Sequence, residues 1–395
     1  MENKFAPLRI VAFSPSYRRF GGEITLMNMM MRIPSELLIK VAVSRFGGEL
    51  LYQFPSEITT FCYESDRHFL TRVADRIYNF FLKKWKGDDY VPLWLIRISK
   101  QFPADFWHVN TLLQPDLIRA AKKLGIPTVL HVHELDLAFQ WIQEERDILD
   151  MVNMPDLIIS CSEAAKKFMG DLGRKEATEV VYGSVIMDLF LKIGKTKNPI
   201  IREKYGIAES RFVWANSGFI CSRKNPLLFI HLADELIRKG YDVHFMWIGA
   251  CSSPYAFYAK KLAEFLQISD RITWTGELTD QEYRETFNIA DGFVLTSTQE
   301  SFSGVTLEAI CLGKPVVVTP CGGVTEIVQD YIGIVTEGWE VSELAAAMIR
   351  VMGGDFKRDE ERTLQHIKQF DCKNQAELWI KIMQQYFGKK KEEMS

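Results

Sequence analysis

"GFVLTSTQESFSGVTLEAICLGKPVVVTP", residues 292–320, contains the repeating unit of the fold. It opens on a short apolar run, GFVLTST, and breaks into the polar turn QESFSG. It then continues as VTLEAICLG, with helical spacing to Gly313, and closes on a second apolar run, PVVVTP. Strand-length apolar runs joined through a helix are the pattern of parallel strands buried on both faces. The turn also gathers the chemistry. Glu300 falls in the strand-to-helix turn and Glu308 one to two turns into the helix, on the side that returns toward the turn. The spacing therefore predicts two carboxylates facing one pocket at different depths. A surface reading competes, with Glu300 as a helix-start acid and Glu308 on a solvated face. Against it, Glu308 stands among Val305, Leu307 and the run AICLGKPVVV, where an unpaired charge is costly. Carboxylates in such a pocket are good acceptors for sugar and ribose hydroxyls.

The same rhythm extends in both directions. Downstream of a charged interval, LKIGKTKNPIIREKYG, the runs RFVWANSGF, VHFMWIGA, RITWTG and GIVTE read as further strands, with NPLLFIHLADELIRKG and SPYAFYAKKLAEFLQ as helices between them. Upstream, LRIVAF, LLIKVAV, FWHVN, TVLHVH, DLIISCS and VVYGSV read as strands, and PDLIRAAKKLG and EAAKKFMGDLG as crossover helices ending in glycine. The expectation is an α/β chain of two Rossmann-like doubly wound domains. Residues 1–187 form the first, 188–372 the second, and 373–395 a helix and tail packing back on the first. Two such domains place a ligand cleft at the carboxyl ends of their strands, so function is sought in the turns that follow strands.

Composition limits what those turns can serve. A chain of 395 residues is too long for one ordinary core, and 47% hydrophobic with 25% charged residues describes a folded protein. A net charge of −3 with no long basic block argues against nucleic acid as a partner. The seven cysteines are scattered and never in a CxxC pair, which fits a reducing cytoplasm rather than a disulfide framework or zinc cage. The amino terminus lacks the pattern of a signal peptide, and no window approaches 18 uninterrupted apolar residues.

Three other strand-end turns carry candidates. SGFICSRKNP places Arg223 and Lys224 between a strand and a helix; the competing reading is a solvated helix-start pair. VAFSPSYRRFGGEITLMNMMMR is read as a strand, a loop containing Gly21 and Gly22, and a helix beginning near Glu23. Adjacent glycines let a backbone approach a phosphate, although a glycine pair is also just a turn. PTVLHVHELD ends a strand with His131 and His133 on one face; strand-end histidines are often ordinary near-surface groups. A metal pair with Glu134 and Asp136 lacks a well-placed third ligand, so no metal site is expected.

Taken in order, these motifs resemble the family 4 retaining glycosyltransferases of the GT-B fold, closely over the second domain and loosely over the first. The stretch ESFSGVTLEAICLGKPVVVTPCGGVTEIV is similar to that family's paired-glutamate signature, and SGFICSRKNPLLFIHLADEL, VHFMWIGA, RITWTGELTDQE and VVYGSVIMDLF continue the likeness. The resemblance implies that Glu308 holds the ribose hydroxyls of a nucleotide-sugar donor and Glu300 a hydroxyl of its sugar. Backbone amides at Ser303, Gly304 and Val305 would meet the sugar and diphosphate. Ser303 stands where many members have glycine. Lys224 matches the lysine that neutralises the leaving pyrophosphate; the arginine usual just after the strand glycine is replaced by Phe219, which leaves Arg223 as the candidate substitute. The family pattern sets Gly21 and Gly22 against the donor phosphates and His133, rather than His131, against the donor sugar.

The implied function is retaining transfer from a UDP- or GDP-linked sugar to a glycan or lipid-linked acceptor, in cell-surface polysaccharide or glycolipid synthesis, with neither metal nor cofactor. The alternatives are a nucleotide-sugar epimerase of the same fold and a non-catalytic two-lobed binding protein. One further segment bears on location. In RHFLTRVADRIYNFFLKKWKG, residues 67–87, helical spacing puts Phe69, Val73, Ile77, Phe80 and Phe81 on one face and Arg72, Arg76, Lys83 and Lys86 opposite. Such a helix suits an anionic membrane surface, with the protein peripheral on the inner face of the plasma membrane. The plainer expectation is an apolar stripe turned to the first domain's core.

Overall fold

The computed structural model describes residues 6–66, 69–86, 90–142, 144–175, 177–193 and 198–388, with the side chains of Leu70, Lys83 and Lys86 outside the description. The chain divides into two compact units, one of residues up to Ser184 together with the segment from Cys372, the other of Val185–Asp371. The sequence had set these divisions at 187/188 and 372/373.

The first unit is built on seven parallel strands: β1 (Leu8–Ser14), β2 (Leu38–Ser44), β3 (Thr59–Cys62), β4 (Phe106–Val109), β5 (Thr128–Val132), β6 (Leu157–Ser160) and β7 (Thr178–Val180), in the order β3-β2-β1-β4-β5-β6-β7. The central strands β4, β5 and β6 are short and wholly buried, as expected where a sheet is covered on both faces, while β3 and β7 at its edges are mostly half-buried. The strand order reverses between β1 and β4, the place where doubly wound sheets open to ligands at their carboxyl ends. The terminal helix Cys372–Phe387 belongs to this unit, where Trp379 packs against Phe106 at 6.2 Å between ring centroids. β3 was not read from the sequence. VVYGSV, read as a strand, contributes only its first valine to β7, and the rest is irregular apart from a bridge between Val185 and Asp371.

The second unit repeats the plan with six parallel strands: β8 (Phe212–Ser217), β9 (Val243–Ile248), β10 (Ile272–Trp274), β11 (Gly292–Leu295), β12 (Val316–Val318) and β13 (Gly333–Val335), ordered β10-β9-β8-β11-β12-β13. Trp214, Phe245, Trp247, Val294 and Val317 form part of its core. Here the order reverses between β8 and β11, so the turns that leave these two strands are neighbours although about 80 residues separate them in sequence.

Candidate active site

The turn after β8 runs through a single 3₁₀ turn, Ser222–Lys224, and stops at Asn225, which is left-handed and caps the helix Pro226–Arg238 with its side chain. The turn after β11 leads to the helix Gly304–Cys311. Backbone and side-chain bonds join the two turns: the Thr298 amide donates to the Arg223 carbonyl (2.8 Å) and the Thr296 hydroxyl to the Lys224 carbonyl (2.9 Å). Phe302 anchors the second turn against Phe370, with ring centroids 5.4 Å apart.

This joining brings three charges together. Glu300 is 6% exposed, and its two carboxylate oxygens lie 2.7 Å from Arg223 Nη1 and 2.7 Å from Lys224 Nζ; the Ser297 hydroxyl donates a further 2.7 Å bond. Burial alone would raise the carboxyl's pKa, but Arg223 and Lys224 outweigh it and hold the group at about 2. Glu300 therefore stays ionised across the neutral range. The solvated-pair reading is corrected for Lys224, which is buried, and Arg223 also bonds the Gln299 carbonyl at 2.8 Å.

Glu308 takes the opposite course. Its Oε2 accepts a 2.6 Å bond from the Tyr283 hydroxyl, and the Ser217 hydroxyl lies 3.0 Å behind that phenol. Tyr283 has one proton and gives it to the carboxylate, so Ser217 is the donor to Tyr283. No cation pairs with Glu308 among the described ion pairs, and burial pushes its pKa up to about 7, against the lowering effect of the Tyr283 bond. Two glutamates eight residues apart thus titrate at opposite ends of the acid range. Tyr283 was missed by the sequence reading; one tyrosine on the helix Asp280–Asn288 carries no pattern that marks it.

Ser303 adopts φ +82°, ψ +69°, the left-handed region that favours glycine, and its hydroxyl lies 2.8 Å from that of Thr306. It directly precedes Gly304 and Val305, so the first amides of that helix follow a sharp reversal of the chain.

In the first unit, Gly21 and Gly22 do not lie in a loop before the helix, as expected; they are its first two residues, in the helix Gly21–Arg32. Gly22 has a steric reason. A Cβ there would lie 3.2 Å from the His133 ring and 3.6 Å from the Asn110 amide nitrogen, whereas Gly21 faces open space. His131 and His133 do share a face, with ring centroids 4.1 Å apart, and His108 stands edge-on to His131 at 5.4 Å. The competing reading of the strand-end histidines as near-surface groups does not hold for His131. It is fully buried, as is His108, and neither ring nitrogen of His131 has a hydrogen-bond partner among the described residues, while Asn110 acts on His108. Burial lowers all three: His108 to about 3, His131 well below its ordinary value and His133 to about 4. Glu134 accepts from Thr111 and from the His133 amide (3.0 Å), and burial raises its pKa. Glu23, in the first turn of the Gly21–Arg32 helix, is pushed to about 7, by burial first and with Glu134 adding to it. Neither Glu23 nor Asn110 was singled out in the sequence. Among the described residues no group of three His, Cys, Asp or Glu side chains is arranged to hold a metal ion.

Comparison with known proteins follows the two units. The family model "Glycosyl transferases group 1" matches residues 197–368, and "Glycosyltransferase Family 4" matches residues 54–188. Among curated proteins, the alpha-D-kanosaminyltransferase of Streptomyces kanamyceticus is 29% identical over 38% of this chain and 39% of its own length. A D-inositol 3-phosphate glycosyltransferase of Geodermatophilus obscurus is 28% identical over 50% of this chain and 45% of its own. The chain spans about half the length, or less, of the curated relatives it matches. Among solved structures, Anabaena HepE in complex with UDP and glucose superposes with a TM-score of 0.77 at 20% identity, covering 96% of this chain and 100% of that one. At that identity the likeness establishes the fold, which is GT-B.

Proposed function

Because the chain belongs to the family 4, group 1 glycosyltransferases of the GT-B fold, we propose that it transfers a sugar from a nucleotide donor to an acceptor hydroxyl with retention at the anomeric carbon. The observation that carries the reading is the cluster of Arg223, Lys224 and Glu300. A diphosphate needs positive charge that is already in position, and here Glu300 holds both cations at 2.7 Å in a largely buried site. Glu300 ties both cations in place, so a leaving diphosphate meets a preformed field rather than two mobile side chains. The first amides of the Gly304–Cys311 helix add to that field. In the step, the bond between the anomeric carbon and the diphosphate oxygen breaks, the electron pair leaving with the nucleoside diphosphate. The acceptor oxygen bonds to the carbon on the same face, and its proton passes to a phosphate oxygen.

Glu308, two carboxylate oxygens on one face, suits a vicinal diol such as the 2′ and 3′ hydroxyls of a ribose, with Tyr283 holding its orientation. Glu300 is assigned a donor-sugar hydroxyl, and Gly21, Gly22 and His133 are assigned to substrate by the family pattern. No metal or cofactor is required in this reading; transfer that persists after EDTA and dialysis is the expected result, and loss restored by manganese or magnesium contradicts it. The donor base, UDP or GDP, and the identity of the glycan or lipid-linked acceptor are for the assay to decide. UDP- and GDP-sugars incubated with the protein should release nucleoside diphosphate, with a retained anomeric configuration in the product NMR spectrum. Isomerisation of the donor without acceptor would instead favour the epimerase, and binding without turnover the two-lobed binding protein.

A cytoplasmic protein peripheral on the membrane is proposed from the helix Phe69–Lys86. The apolar stripe does not face the core as the plainer expectation had it. Phe69, Ile77, Phe80, Phe81 and Trp85 are between 54% and 81% exposed, while the inward side is polar. Asp75 is buried and bonded by Arg97 (2.9 and 3.0 Å) and Tyr63 (3.2 Å), and Asn79 accepts from the Leu93 amide (3.2 Å). An outward row of aromatics accompanied by Arg76 and Lys84 fits an anionic lipid interface. The full chain should co-sediment with vesicles containing anionic lipid at low salt and release as salt rises; a protein that stays in the supernatant at low salt contradicts it. No described helix is long and apolar enough to cross a membrane.

A further inference from the structure

We infer that Asn110 is a positioning residue that fixes His133 in the tautomer with its proton on Nε2, leaving Nδ1 as the ring's accepting nitrogen. Asn110 directly follows β4, is 3% exposed, and bridges two neighbours: its Nδ2 donates to the Gly22 carbonyl at 3.1 Å, and its Oδ1 lies 2.9 Å from His133 Nε2. The orientation of an asparagine amide is ordinarily ambiguous, because its oxygen and nitrogen have the same shape. Here a carbonyl settles it. The Gly22 oxygen can only accept, so the amide nitrogen must face it, and the amide oxygen must then face the imidazole. An amide oxygen can only accept in its turn, so Nε2 carries the proton.

The ring is also neutral. It is packed against His131, and its pKa is depressed to about 4 by burial, so at neutral pH it holds one ring proton, on Nε2. Any substrate group that meets Nδ1 therefore has to donate. A sugar hydroxyl meets that condition; a phosphate oxygen or a carboxylate does not. If His133 meets the donor sugar, as the proposed function has it, the ring accepts from a hydroxyl there and does not give it a proton. Gly22 completes the arrangement, since a side chain there would press on the imidazole, 3.2 Å from its Cβ.

The tautomer claim stands independently of the proposed transferase activity; the hydroxyl claim rests on it. The test uses full-length protein labelled with ¹⁵N-histidine, without ligand, at pH 7.5, with the His133 signals assigned by their loss in His133→Gln. A single neutral tautomer protonated on Nε2 is expected. A ring protonated on Nδ1, or a mixture of tautomers, overturns the inference. Asn110→Ala, checked for folding by its thermal transition, should release the ring into a mixture; an unchanged His133 spectrum in that variant shows that something else fixes the ring and also overturns it. If the donor assay succeeds, deoxy analogues of the donor sugar supply the second arm. Wild type should discriminate against loss of one particular hydroxyl, and Asn110→Ala should discriminate severalfold less. Equal discrimination by both proteins removes the hydroxyl claim while leaving the tautomer result to be judged on its own spectrum.

Discussion

The turn cluster of the second unit and the histidine cluster of the first occupy corresponding places, at the strand ends where each sheet reverses its order, yet they solve burial in opposite ways. Around Glu300 the charges are kept and compensated: Arg223, Lys224 and Ser297 all bond one carboxylate. Around His133 the charges are given up. Three histidines are neutral, and Glu23 is pushed to about 7. A compensated cluster can stabilise developing charge on a ligand, whereas a neutral one can only exchange hydrogen bonds with it. Under the proposed function, the difference suits diphosphate to the first kind of site and hydroxyls to the second.

Acid should separate the two units most strongly. A histidine whose folded pKa is depressed contributes its full stability above the unfolded value of about 6.5, and that stability is lost as pH falls toward the folded value. At pH 5 each of His108, His131 and His133 then costs about 2 kcal/mol, an upper figure for groups whose folded pKa lies well below 5. Among its described residues the second unit has one comparable group, His244 at about 4, and its Glu300 keeps its stabilising pairs until pH approaches 2. Hydrogen exchange followed by mass spectrometry at pH 7 and pH 5 should show β4 and β5 losing protection before β8 and β11. Simultaneous loss would break the comparison.

Next in size is the effect of removing one group from each site. Lys224→Ala should lower kcat by about 10²-fold or more, the scale for a lost transition-state charge contact. His133→Ala should lower kcat/KM by only about tenfold, the scale of one neutral hydrogen bond. Equal losses would mean that both sites carry charge, or that neither does.

The sequence showed the second site far better than the first, for a physical reason. Glu300, Ser303, Gly304 and Glu308 lie within one turn and one helix, so their spacing alone gives their relative directions, and Arg223 with Lys224 enters through a single neighbouring turn. The first site is assembled from the ends of β1, β4 and β5. Nothing in the local pattern around Asn110 says that it will lie between Gly22 and His133, because that adjacency is set by strand order. The same limit explains the helix at residues 69–86. Its periodicity showed one apolar face, but the side that turns inward is marked by Asp75, bonded to Arg97, and Asn79, bonded to the Leu93 amide, which the pattern did not single out, while Arg76 is exposed.

The smallest effect is a pH dependence confined to the second site. Glu308 binds a diol best when ionised, so with a pKa near 7 donor KM should rise roughly tenfold between pH 8 and pH 6 while the Glu300 cluster is unaffected. Tyr283→Phe removes a bond that lowers this pKa and should move the midpoint of the KM profile to higher pH. A KM that is flat from pH 6 to 8 would show that Glu308 does not meet the donor. Since burial disfavours its charged form, Glu308→Gln should raise Tm at pH 8 even as it weakens donor use.

The central claim, that the second unit holds a nucleoside diphosphate between Lys224 and Glu308, is tested most directly by calorimetric titration of the full chain with UDP and with GDP at pH 8, alongside Lys224→Ala and Glu308→Ala of unchanged thermal transition. The account predicts that one of the two nucleotides binds the unmodified protein and that each substitution weakens that binding at least tenfold. Binding of neither nucleotide, or binding that both variants retain at full strength, would contradict it.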